Sequence, residues 1–339
     1  VAAMKAGAAD YVLKPFSIFV HPKYSLMKSD RGSSKEHDFS IDTFNHTGIP
    51  LYFSLFAYRG KEQLFLQHEV LSRGIRDSIR VAVDVPASPA SEDSLIFSAS
   101  PHEAGKQLRL GHPSDVAYLR RVTARFDTND NIGLISTYDN TLAQTFAEFG
   151  VRYRSIDSSM LASGNLNQFT TIVLDIRGYL YRHDLVKYND RILDYIKAGG
   201  NVVCFYNRPT EWDGHTYAPY PIYVTRERVT EETQPVTVLM PENPLFHSPN
   251  EIVPADWDGW VQERNIYLPS GDTTQTSPKY ERLLAMSDED ETEPSTSLLW
   301  AKYGNGTYIY TSLALYRQVK DLNNGGVKLL FNLISQPRH

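Results

Sequence analysis

The stretch HDLVKYNDRILDYIKAGGNVVCFYN (residues 183–207) decides the predicted fold, because its pattern changes from helix to strand at a pair of glycines. Its first half places apolar side chains on one face of a helix: Leu185, Tyr188, Ile192, Tyr195 and Ile196. Gly199 and Gly200 end this predicted helix. The nearly all-apolar NVVCFYN that follows is typical of a parallel strand covered on both faces.

The segments before this stretch repeat the alternation of strand and helix. NIGLISTYD (131–139), VRYRSID (151–157) and FTTIVLDIR (169–177) indicate strands, and NTLAQTFAEFG (140–150) indicates a helix. This βαβαβ order predicts an α/β domain over residues 130–336, with a doubly wound, mostly parallel, flavodoxin-like sheet. Farther along, SLLWAKYGNGTYIYTSL (297–313) predicts a β-hairpin and GVKLLFNLIS (326–335) a closing helix.

The first third of the chain has a different sequence pattern, one that is typical of strands. FSIDTFNHTGIPLYFSLFAYRG (39–60) alternates apolar and polar residues, which suits paired strands with one buried face. We therefore predict a small all-β domain, a β-sandwich, over residues 39–125. The polar and charged residues 17–38 indicate a linker.

AMKAGAADYVLKPF (residues 3–16) resembles the end of a bacterial response-regulator receiver domain. In that family the lysine at the position of Lys14 reaches the phosphoryl group on an aspartate that lies much earlier in the chain. No such aspartate precedes Lys14 in this sequence. We interpret residues 1–16 as a receiver-like remnant, and the output region of a response regulator stays open as an alternative function.

Composition excludes several function classes. The 339 residues carry 34 Lys and Arg against 40 Asp and Glu, a net charge of −6, so we expect no nucleic-acid partner. No apolar run approaches the roughly 18 to 20 residues of a membrane span. Cys204 is the single cysteine, which excludes an internal disulfide framework and a cysteine-rich zinc site.

Four segments carry a family resemblance: DIRGY (175–179), YIKAGGNVVCFYN (195–207), PENPLFHSPNEIVPADWDGWVQERNIYLP (241–269) and YGNGTYIYTSLALYRQ (303–318). They resemble the C-terminal region of large bacterial PIG-L (LmbE-like) deacetylases, over roughly residues 18–336. The resemblance implies a class I glutamine amidotransferase-like domain after a β-sandwich. It also favours a periplasmic or extracellular location, although residues 1–16 show no secretory signal.

The resemblance places zinc chemistry in a separate N-terminal domain with an A-H-P-D-D-E motif, which this sequence does not contain. The nearest string is GHPSDV (111–116), which lacks the second Asp and the Glu. We interpret His112 and Asp115 as loop residues rather than zinc ligands, and we expect no cofactor in this chain. His183, His215 and His247 are too scattered to suggest a metal site.

Cys204 is the candidate nucleophile if the amidotransferase-like domain is itself an enzyme. Such a cysteine sits on a strained elbow flanked by glycines, whereas Val203 and Phe205 flank Cys204. We interpret it as a buried strand cysteine and assign no catalytic residue. A hydrolase or amidotransferase acting through the α/β domain stays open as an alternative.

The candidate ligand site lies where the predicted parallel strands end. Ligands of open α/β sheets bind outside the carboxyl ends of the strands. The candidates there, with those of the segment ADWDGWVQER (255–264), are Arg177, Tyr206, Asn207, Arg208, Trp257, Asp258, Trp260, Glu263 and Arg264. Aromatic rings beside charged groups suit a sugar or a polar peptide. The alternative is that both tryptophans pack the segment onto the sheet while Glu263 and Arg264 form an internal ion pair.

The expected function is therefore a non-catalytic accessory region of a PIG-L-type N-acetyl-sugar deacetylase that supports carbohydrate binding or assembly. The expected partners are a carbohydrate ligand, the missing N-terminal deacetylase domain and a second copy of the chain in a homo-oligomer.

Overall fold

A computed structural model of the chain describes residues 16–27, 35–47, 49–72, 74–86, 92–103, 106–107 and 112–336. They divide into two compact units between Val122 and Thr123, which we call unit 1 and unit 2. The receiver-like segment lies outside the described residues except for Phe16, which begins a strand.

Unit 1 is a β-sandwich, so the predicted sandwich character is confirmed. Its strands are β1 (Phe16–His21), β2 (Tyr24–Leu26), β3 (Lys35–Asn45), β4 (Leu51–Arg59), β5 (Glu62–Leu71), β6 (Arg76–Val85), β7 (Glu92–Glu103), β8 (Lys106–Gln107) and β9 (Ser114–Arg120). One sheet has the order β1-β3-β6, and the other has the order β2-β9-β7-β4-β5 with β8 paired to β7. Much of the segment predicted as a linker, residues 17–38, belongs to β1, β2 and β3.

Aromatic side chains join the two sheets of unit 1. The ring centroids of Phe16 and Phe53 lie 5.0 Å apart, as do those of Phe39 and Phe97. All four rings are buried. Burial of one such ring stabilises the fold by about 1.5–3 kcal/mol, so these contacts hold the sheets face to face.

Unit 2 contains the remaining strands and all the helices of the described chain. They are β10 (Ile132–Ile135), α1 (Thr141–Phe149), β11 (Tyr153–Ser155), α2 (Ser158–Ser163), β12 (Thr171–Leu174), α3 (Gly178–Tyr181), α4 (His183–Lys187), α5 (Asn189–Lys197), β13 (Asn201–Phe205), β14 (Arg228–Val229), β15 (Thr237–Val238), β16 (Asn265–Ile266), β17 (Glu281–Ala285), β18 (Leu298–Tyr303), β19 (Gly306–Thr311), α6 (Leu315–Lys320) and α7 (Asn324–Ile334). Single 3-10 turns lie at Leu166–Gln168, Pro244–Phe246 and Pro254–Trp257.

The main sheet of unit 2 has eight strands in the order β11-β10-β12-β13-β19-β18-β17-β15. The pairings from β11 to β19 are parallel, and those from β19 to β15 are antiparallel. Strands β14 and β16 form a separate two-stranded sheet.

The predicted fold class, α/β with a doubly wound, mostly parallel, flavodoxin-like or amidotransferase-like sheet, is wrong. The protein is mostly β: 37% of it is strand, arranged in several sheets, and 20% is helix. Two features account for the error. Residues 206–280 form loops and two-residue strands rather than crossover helices, and the hairpin of β18 and β19 extends the sheet in antiparallel fashion.

Two glycines show why the β18–β19 hairpin takes its position. Gly304 adopts φ 62°, a left-handed conformation that favours glycine in a tight turn. A Cβ on Gly306 would lie 2.1 Å from the carbonyl oxygen of Gly200 and 2.3 Å from that of Ile196. The backbone of β19 therefore approaches the end of α5 at a distance that only glycine allows.

Within the described residues, no helix combines the length and the apolar composition that crossing a membrane requires.

Candidate functional site: a tyrosine–arginine cluster

The carboxyl ends of β10, β12, β13 and β19 meet at one edge of the main sheet, because these strands are parallel neighbours. The residues that follow them converge with residues of the loop after β16. Tyrosines and arginines dominate this edge, and we call them the tyrosine–arginine cluster: Tyr138, Tyr181, Tyr206, Tyr267, Tyr316, Arg177, Arg208, Arg228 and Arg317.

Arg177 is fixed at the centre of this edge. Its φ of 54° is left-handed, and its backbone N–H donates to the carbonyl oxygen of Tyr206 over 2.8 Å. Its Nε and Nη2 donate to the carboxylate of Glu211 over 3.1 and 2.9 Å. The two side chains are 13% and 3% exposed. The hydrogen bonds from Glu211 raise the pKa of Arg177, so the guanidinium stays charged.

Two tyrosine rings stand in solvent beside Arg177. Tyr138 is 59% exposed and Tyr181 is 45% exposed, and their ring centroids lie 4.7 Å apart. The guanidinium carbon of Arg177 lies 5.3 Å from the Tyr181 ring centroid, and Nη1 donates to the Tyr181 hydroxyl over 3.3 Å. Partial burial, with Tyr316 and Tyr181 nearby, raises the pKa of Tyr138. The Tyr138 phenol is therefore neutral at physiological pH and can donate or accept a hydrogen bond.

The rings of Tyr206, Tyr267 and Tyr316 extend the cluster away from Arg177. The Tyr206 centroid lies 6.0 Å from that of Tyr316 and 6.0 Å from that of Tyr267. Burial raises the pKa of Tyr206 well above its usual value, with Tyr316 adding to the shift. Nε of Arg317 donates to the Tyr316 hydroxyl over 2.9 Å. Arg208 lies over the Tyr267 ring, with its guanidinium carbon 5.5 Å from the centroid.

Glu263, in the loop after Trp260, forms ion pairs with two arginines of the cluster. Its carboxylate lies 2.5 Å from Nη2 of Arg228 and 3.4 Å from Nη1 of Arg317. The backbone nearby is strained, since Gln262 has φ 69° and Tyr267 has φ 57°. With Arg177, they make up three of the five non-glycine residues with left-handed φ in the described chain. Strain of this kind costs about 1–3 kcal/mol per residue and concentrates at functional sites.

A buried carboxyl, Asp175, lies beneath this edge. It is 2% exposed, and its oxygens accept hydrogen bonds from Ile176 N at 2.7 Å and Thr137 Oγ1 at 3.4 Å. Burial raises the pKa of Asp175 to about 7, and the charge of Asp139 acts in the same direction. Asp175 is not among the residues predicted for the site, although a carboxylate directly after the apolar run IVL (172–174) signals a polar group at the strand end.

Three of the nine predicted site residues belong to the cluster, Arg177, Tyr206 and Arg208, and a fourth, Glu263, pairs with its arginines Arg228 and Arg317. Asn207 is buried next to them, where Oδ1 accepts from Tyr179 N and Nδ2 donates to the Phe205 carbonyl oxygen.

The tryptophans of the predicted site pack inside the unit. The Trp257 and Trp260 centroids lie 5.3 Å apart, and both rings are buried. Nη1 of buried Arg264 donates to the Trp257 carbonyl oxygen over 2.6 Å. Glu263 therefore pairs with Arg228 and Arg317 rather than with Arg264. Asp258 is exposed next to this pair of rings.

Six members of the cluster are not among the predicted site residues: Tyr138, Tyr181, Tyr267, Tyr316, Arg228 and Arg317. The Glu211 carboxylate that holds Arg177 was not predicted either. Two of them had a usable signal. Tyr181 lies four residues after Arg177, which is one helical turn. Tyr316 lies shortly after the second strand of the predicted hairpin, so it is close to the carboxyl end of a predicted strand.

Cys204 lies inside β13 rather than on an elbow. Its thiol is fully buried, with Sγ 3.4 Å from the Phe205 carbonyl oxygen. Burial raises the pKa of Cys204 to about 12. Because the thiolate is the nucleophile, this environment suppresses nucleophilic chemistry at neutral pH.

The other candidates for metal chemistry have protein partners. Asp115 pairs with Lys23, and its carboxylate accepts a hydrogen bond from Val20 N over 2.8 Å. Nδ1 of His247 lies 2.9 Å from Glu251. Among the described residues, no group of three or more His, Cys, Asp or Glu side chains is placed to hold a metal ion.

Comparisons with known proteins assign no family. No family model and no curated protein matches the chain. Among solved structures, a cold-adapted β-galactosidase from Rahnella sp. R3 is 15% identical over 64% of this chain and 32% of its own, with TM-score 0.37. The exo-β-1,4-mannosidase Op5Man5 from Opitutaceae bacterium strain TAV5 is 10% identical over 60% of this chain and 34% of its own, with TM-score 0.33.

A third match, native alpha-2-macroglobulin from Escherichia coli, is 12% identical over 32% of this chain and 17% of its own, with TM-score 0.22. This chain thus spans about a third or less of these three structures. TM-scores this low carry no argument about function.

Proposed function

We propose that unit 2 binds a carbohydrate at the tyrosine–arginine cluster without catalysing a reaction on it. We propose further that it serves as an accessory region of a PIG-L-type N-acetyl-sugar deacetylase. One observation carries the binding proposal: two exposed tyrosine rings, Tyr138 and Tyr181, stand 4.7 Å apart beside an arginine that Glu211 holds in place.

The chemistry of this surface matches a sugar. The faces of the tyrosine rings offer apolar contact area to the C–H groups of a pyranose ring, and the phenol hydroxyls can donate to or accept from sugar hydroxyls. Arg208 and Arg228 add exposed guanidinium donors at the same edge. Since Glu211 and Glu263 already fix Arg177 and Arg317, these side chains lose little conformational freedom when a ligand binds.

The buried cysteine supports a role without catalysis. The Cys204 thiol is buried and its pKa is raised to about 12. The association with a deacetylase rests on the sequence resemblance, which is densest from Phe169 onward and most specific in WDGWVQER (257–264), whose tryptophans and Arg264 pack in the interior.

A hydrolase acting through unit 2 is the second candidate, and Asp175 is the observation that favours it. A carboxyl with a pKa of about 7 at the carboxyl edge of a sheet suits general acid–base chemistry. At 2% exposure, however, Asp175 contacts a substrate only if the segment around Thr137 moves aside. Hydrolysis of an ester or amide by the purified chain that is lost in Asp175→Asn would establish this function.

A glycan array with the purified chain tests the binding proposal. We expect a defined set of glycans to bind, and Tyr138→Ala and Tyr181→Ala to lose them. Tyr223→Ala is the matched control, because Tyr223 is similarly exposed in unit 2 outside the cluster. Acetate release from N-acetylated oligosaccharides, assayed on the same glycans, should be absent. Binding that survives both cluster variants would overturn the proposed site, and acetate release would overturn the non-catalytic role.

A further inference from the structure

The guanidinium of Arg208 has no acceptor within the described residues of the protein. The side chain is exposed after β13, and its guanidinium carbon lies 5.5 Å from the ring centroid of Tyr267. The hydrogen bonds of Arg208 are those of its backbone, which donates to the Glu211 carboxylate and accepts from the Glu211 N–H. The N–H donors of the guanidinium are therefore available to a ligand.

Two further arginines of the cluster share one carboxylate. Glu263 lies 2.5 Å from Nη2 of Arg228 and 3.4 Å from Nη1 of Arg317. A single guanidinium can occupy a whole carboxylate through two parallel hydrogen bonds, so a shared carboxylate leaves donors unused on both arginines. The nearby carboxylate of Glu232 accepts a hydrogen bond from the backbone N–H of Gln262. Because the Arg228 side chain is 41% exposed, its unused donors can reach a ligand from solvent.

The ring of Tyr267 gathers the two exposed guanidinium groups. The guanidinium carbon of Arg228 lies 5.7 Å from its centroid, and that of Arg208 lies 5.5 Å from it. The ring itself stacks against buried Tyr206 at 6.0 Å, and its backbone has a left-handed φ of 57°. Strain of this kind concentrates at functional sites. The cation–π contacts restrict both arginine side chains in advance, so they lose less freedom when a ligand binds.

The part of the cluster around Tyr138 and Tyr181 has a different charge balance. Its arginine, Arg177, is already paired with the carboxylate of Glu211. Burial raises the pKa of Tyr138, and the charge of nearby Asp139 acts in the same direction. Unused cationic donors are thus concentrated at the other part of the cluster, whereas the exposed rings here suit an uncharged portion of a ligand.

We propose that the carbohydrate bound by the tyrosine–arginine cluster is acidic. Its oxyanion groups, carboxylate or sulfate, accept hydrogen bonds from Arg208 and Arg228 beside Tyr267, while the face of a sugar ring lies on Tyr138 and Tyr181. Guanidinium groups suit this task because their paired N–H donors match the oxygens of an oxyanion and stay charged at every physiological pH. The inference rests on the proposed binding of carbohydrate at the cluster and specifies the class of carbohydrate.

Isothermal titration of the full chain with matched carbohydrates tests this inference. Oligosaccharides of hyaluronan and of polygalacturonate are each compared with their carboxyl methyl esters, and dextran sulfate is compared with dextran. The two members of a pair have the same sugar rings and differ in charge. We expect at least one acidic member to bind at least about tenfold more tightly than its neutral counterpart, as for a gained charge-assisted hydrogen bond. The difference should shrink between about 0.05 M and about 0.5 M NaCl, because salt screens exposed ion pairs. The pair that shows the difference identifies carboxylate or sulfate.

Substitutions separate the oxyanion contact from the sugar contact. Arg208→Gln and Arg228→Gln should each weaken binding of the acidic member about tenfold and leave binding of the neutral member unchanged. Arg208→Gln should also leave urea unfolding unchanged, because the Arg208 guanidinium has no acceptor among the described residues. Arg154→Gln is the matched control, since Arg154 is an exposed arginine of β11 outside the cluster and its loss changes the net charge equally. Tyr138→Ala and Tyr181→Ala should weaken binding of both members.

The outcomes distinguish this inference from the proposed function. Acidic and neutral members that bind equally, and that the tyrosine variants both lose, would overturn the acidic class and leave carbohydrate binding in place. An equal loss of the acidic member in Arg154→Gln and Arg208→Gln would show a general effect of charge and overturn the assigned contact. Absence of all carbohydrate binding would overturn both proposals. Binding of polyglutamate in that case, lost in Arg208→Gln, would assign the cluster to an acidic peptide instead.

Discussion

The carboxylate of Glu211 accepts hydrogen bonds from Nε and Nη2 of Arg177 at 3.1 and 2.9 Å, in a pair that is almost closed to solvent. The same carboxylate accepts a hydrogen bond from the backbone N–H of Arg208 at 2.9 Å. Glu211 therefore links the loops that follow β12 and β13, and it sets the position of the arginine beside the exposed tyrosines.

Replacing Glu211 should destabilise unit 2 and loosen the cluster. Glu211→Ala leaves the Arg177 guanidinium without its partner, and breaking a buried pair in this way costs about 3–5 kcal/mol. Urea unfolding followed by tryptophan fluorescence measures the loss in unit 2 alone, because Trp212, Trp257, Trp260 and Trp300 all lie there. Glu263→Ala, whose partners Arg228 and Arg317 are more exposed, should cost less. A loss below about 1 kcal/mol for Glu211→Ala, the size of a surface pair, would contradict the positioning role.

Asp175 should make the stability of unit 2 depend on pH. Burial raises its pKa from 3.8 to about 7. The folded protein thus favours the neutral carboxyl, and the stability that it contributes is complete below about pH 4 and is lost as the pH rises through about 7. A shift of about three units corresponds to about 4 kcal/mol.

The variant Asp175→Asn cannot ionise and should not suffer this loss. Its free energy of unfolding, relative to that of the unsubstituted protein, should rise by up to about 4 kcal/mol between about pH 4 and pH 8. Urea unfolding at several pH values, read from tryptophan fluorescence, gives this difference. A difference that stays constant with pH would show that Asp175 is ionised in the folded protein throughout.

Cys204 should be inert in the folded protein. Its thiol is buried, and its raised pKa of about 12 leaves almost no thiolate at mildly alkaline pH. Iodoacetamide followed by mass spectrometry should give no adduct with the folded chain and full labelling in denaturing urea. Rapid stoichiometric labelling of the folded chain would contradict the buried placement and revive the nucleophile hypothesis.

Gly306 should tolerate no side chain. Its Cβ would lie 2.1 Å from the Gly200 oxygen, so Gly306→Ala forces β19 away from the end of α5. We expect a loss of at least about 1–3 kcal/mol, as for overpacking in a core. Gly271→Ala is a suitable control, since its Cβ would meet only one atom, at 4.0 Å. Equal stability of the two variants would contradict the close approach.

Local features of the fold could be predicted from sequence because nearby residues determine them. The glycines at 304 and 306 marked a tight turn, and the structure has the β18–β19 hairpin there. The helix predicted before Gly199 is present but is interrupted at Tyr188, where α4 ends and α5 begins. The alternation in residues 39–60 indicated strands with one buried face, as β3 and β4 show.

The fold class could not be predicted in the same way. It depends on how residues 206–280 run between β13 and β17, and this segment has neither helical nor strand periodicity to reveal its path. The same limit applies to the site. Arg177, Tyr206 and Arg208 follow adjacent strands and could be placed together, whereas Tyr267 and Glu211 reach the cluster through loops.

Trp257 and Trp260 were candidates for the ligand site, but the structure places both rings in the interior. Tryptophan beside Asp, Glu and Arg suits both a ligand site and a packed insertion, and the sequence alone does not distinguish the two. In the structure the rings contact each other in the interior, while the exposed tyrosines Tyr138 and Tyr181 lie beside Arg177.

The most direct test of the central claim is isothermal titration of a glycan selected on the array into the unsubstituted protein, Tyr138→Ala, Tyr181→Ala and the control Tyr223→Ala. Each cluster variant should bind about tenfold more weakly, as expected when a central aromatic contact of about 1.4 kcal/mol is lost. Their unfolding in urea should stay unchanged, because both rings are exposed. Equal affinity of all four proteins would contradict the assignment of the tyrosine–arginine cluster as a carbohydrate site.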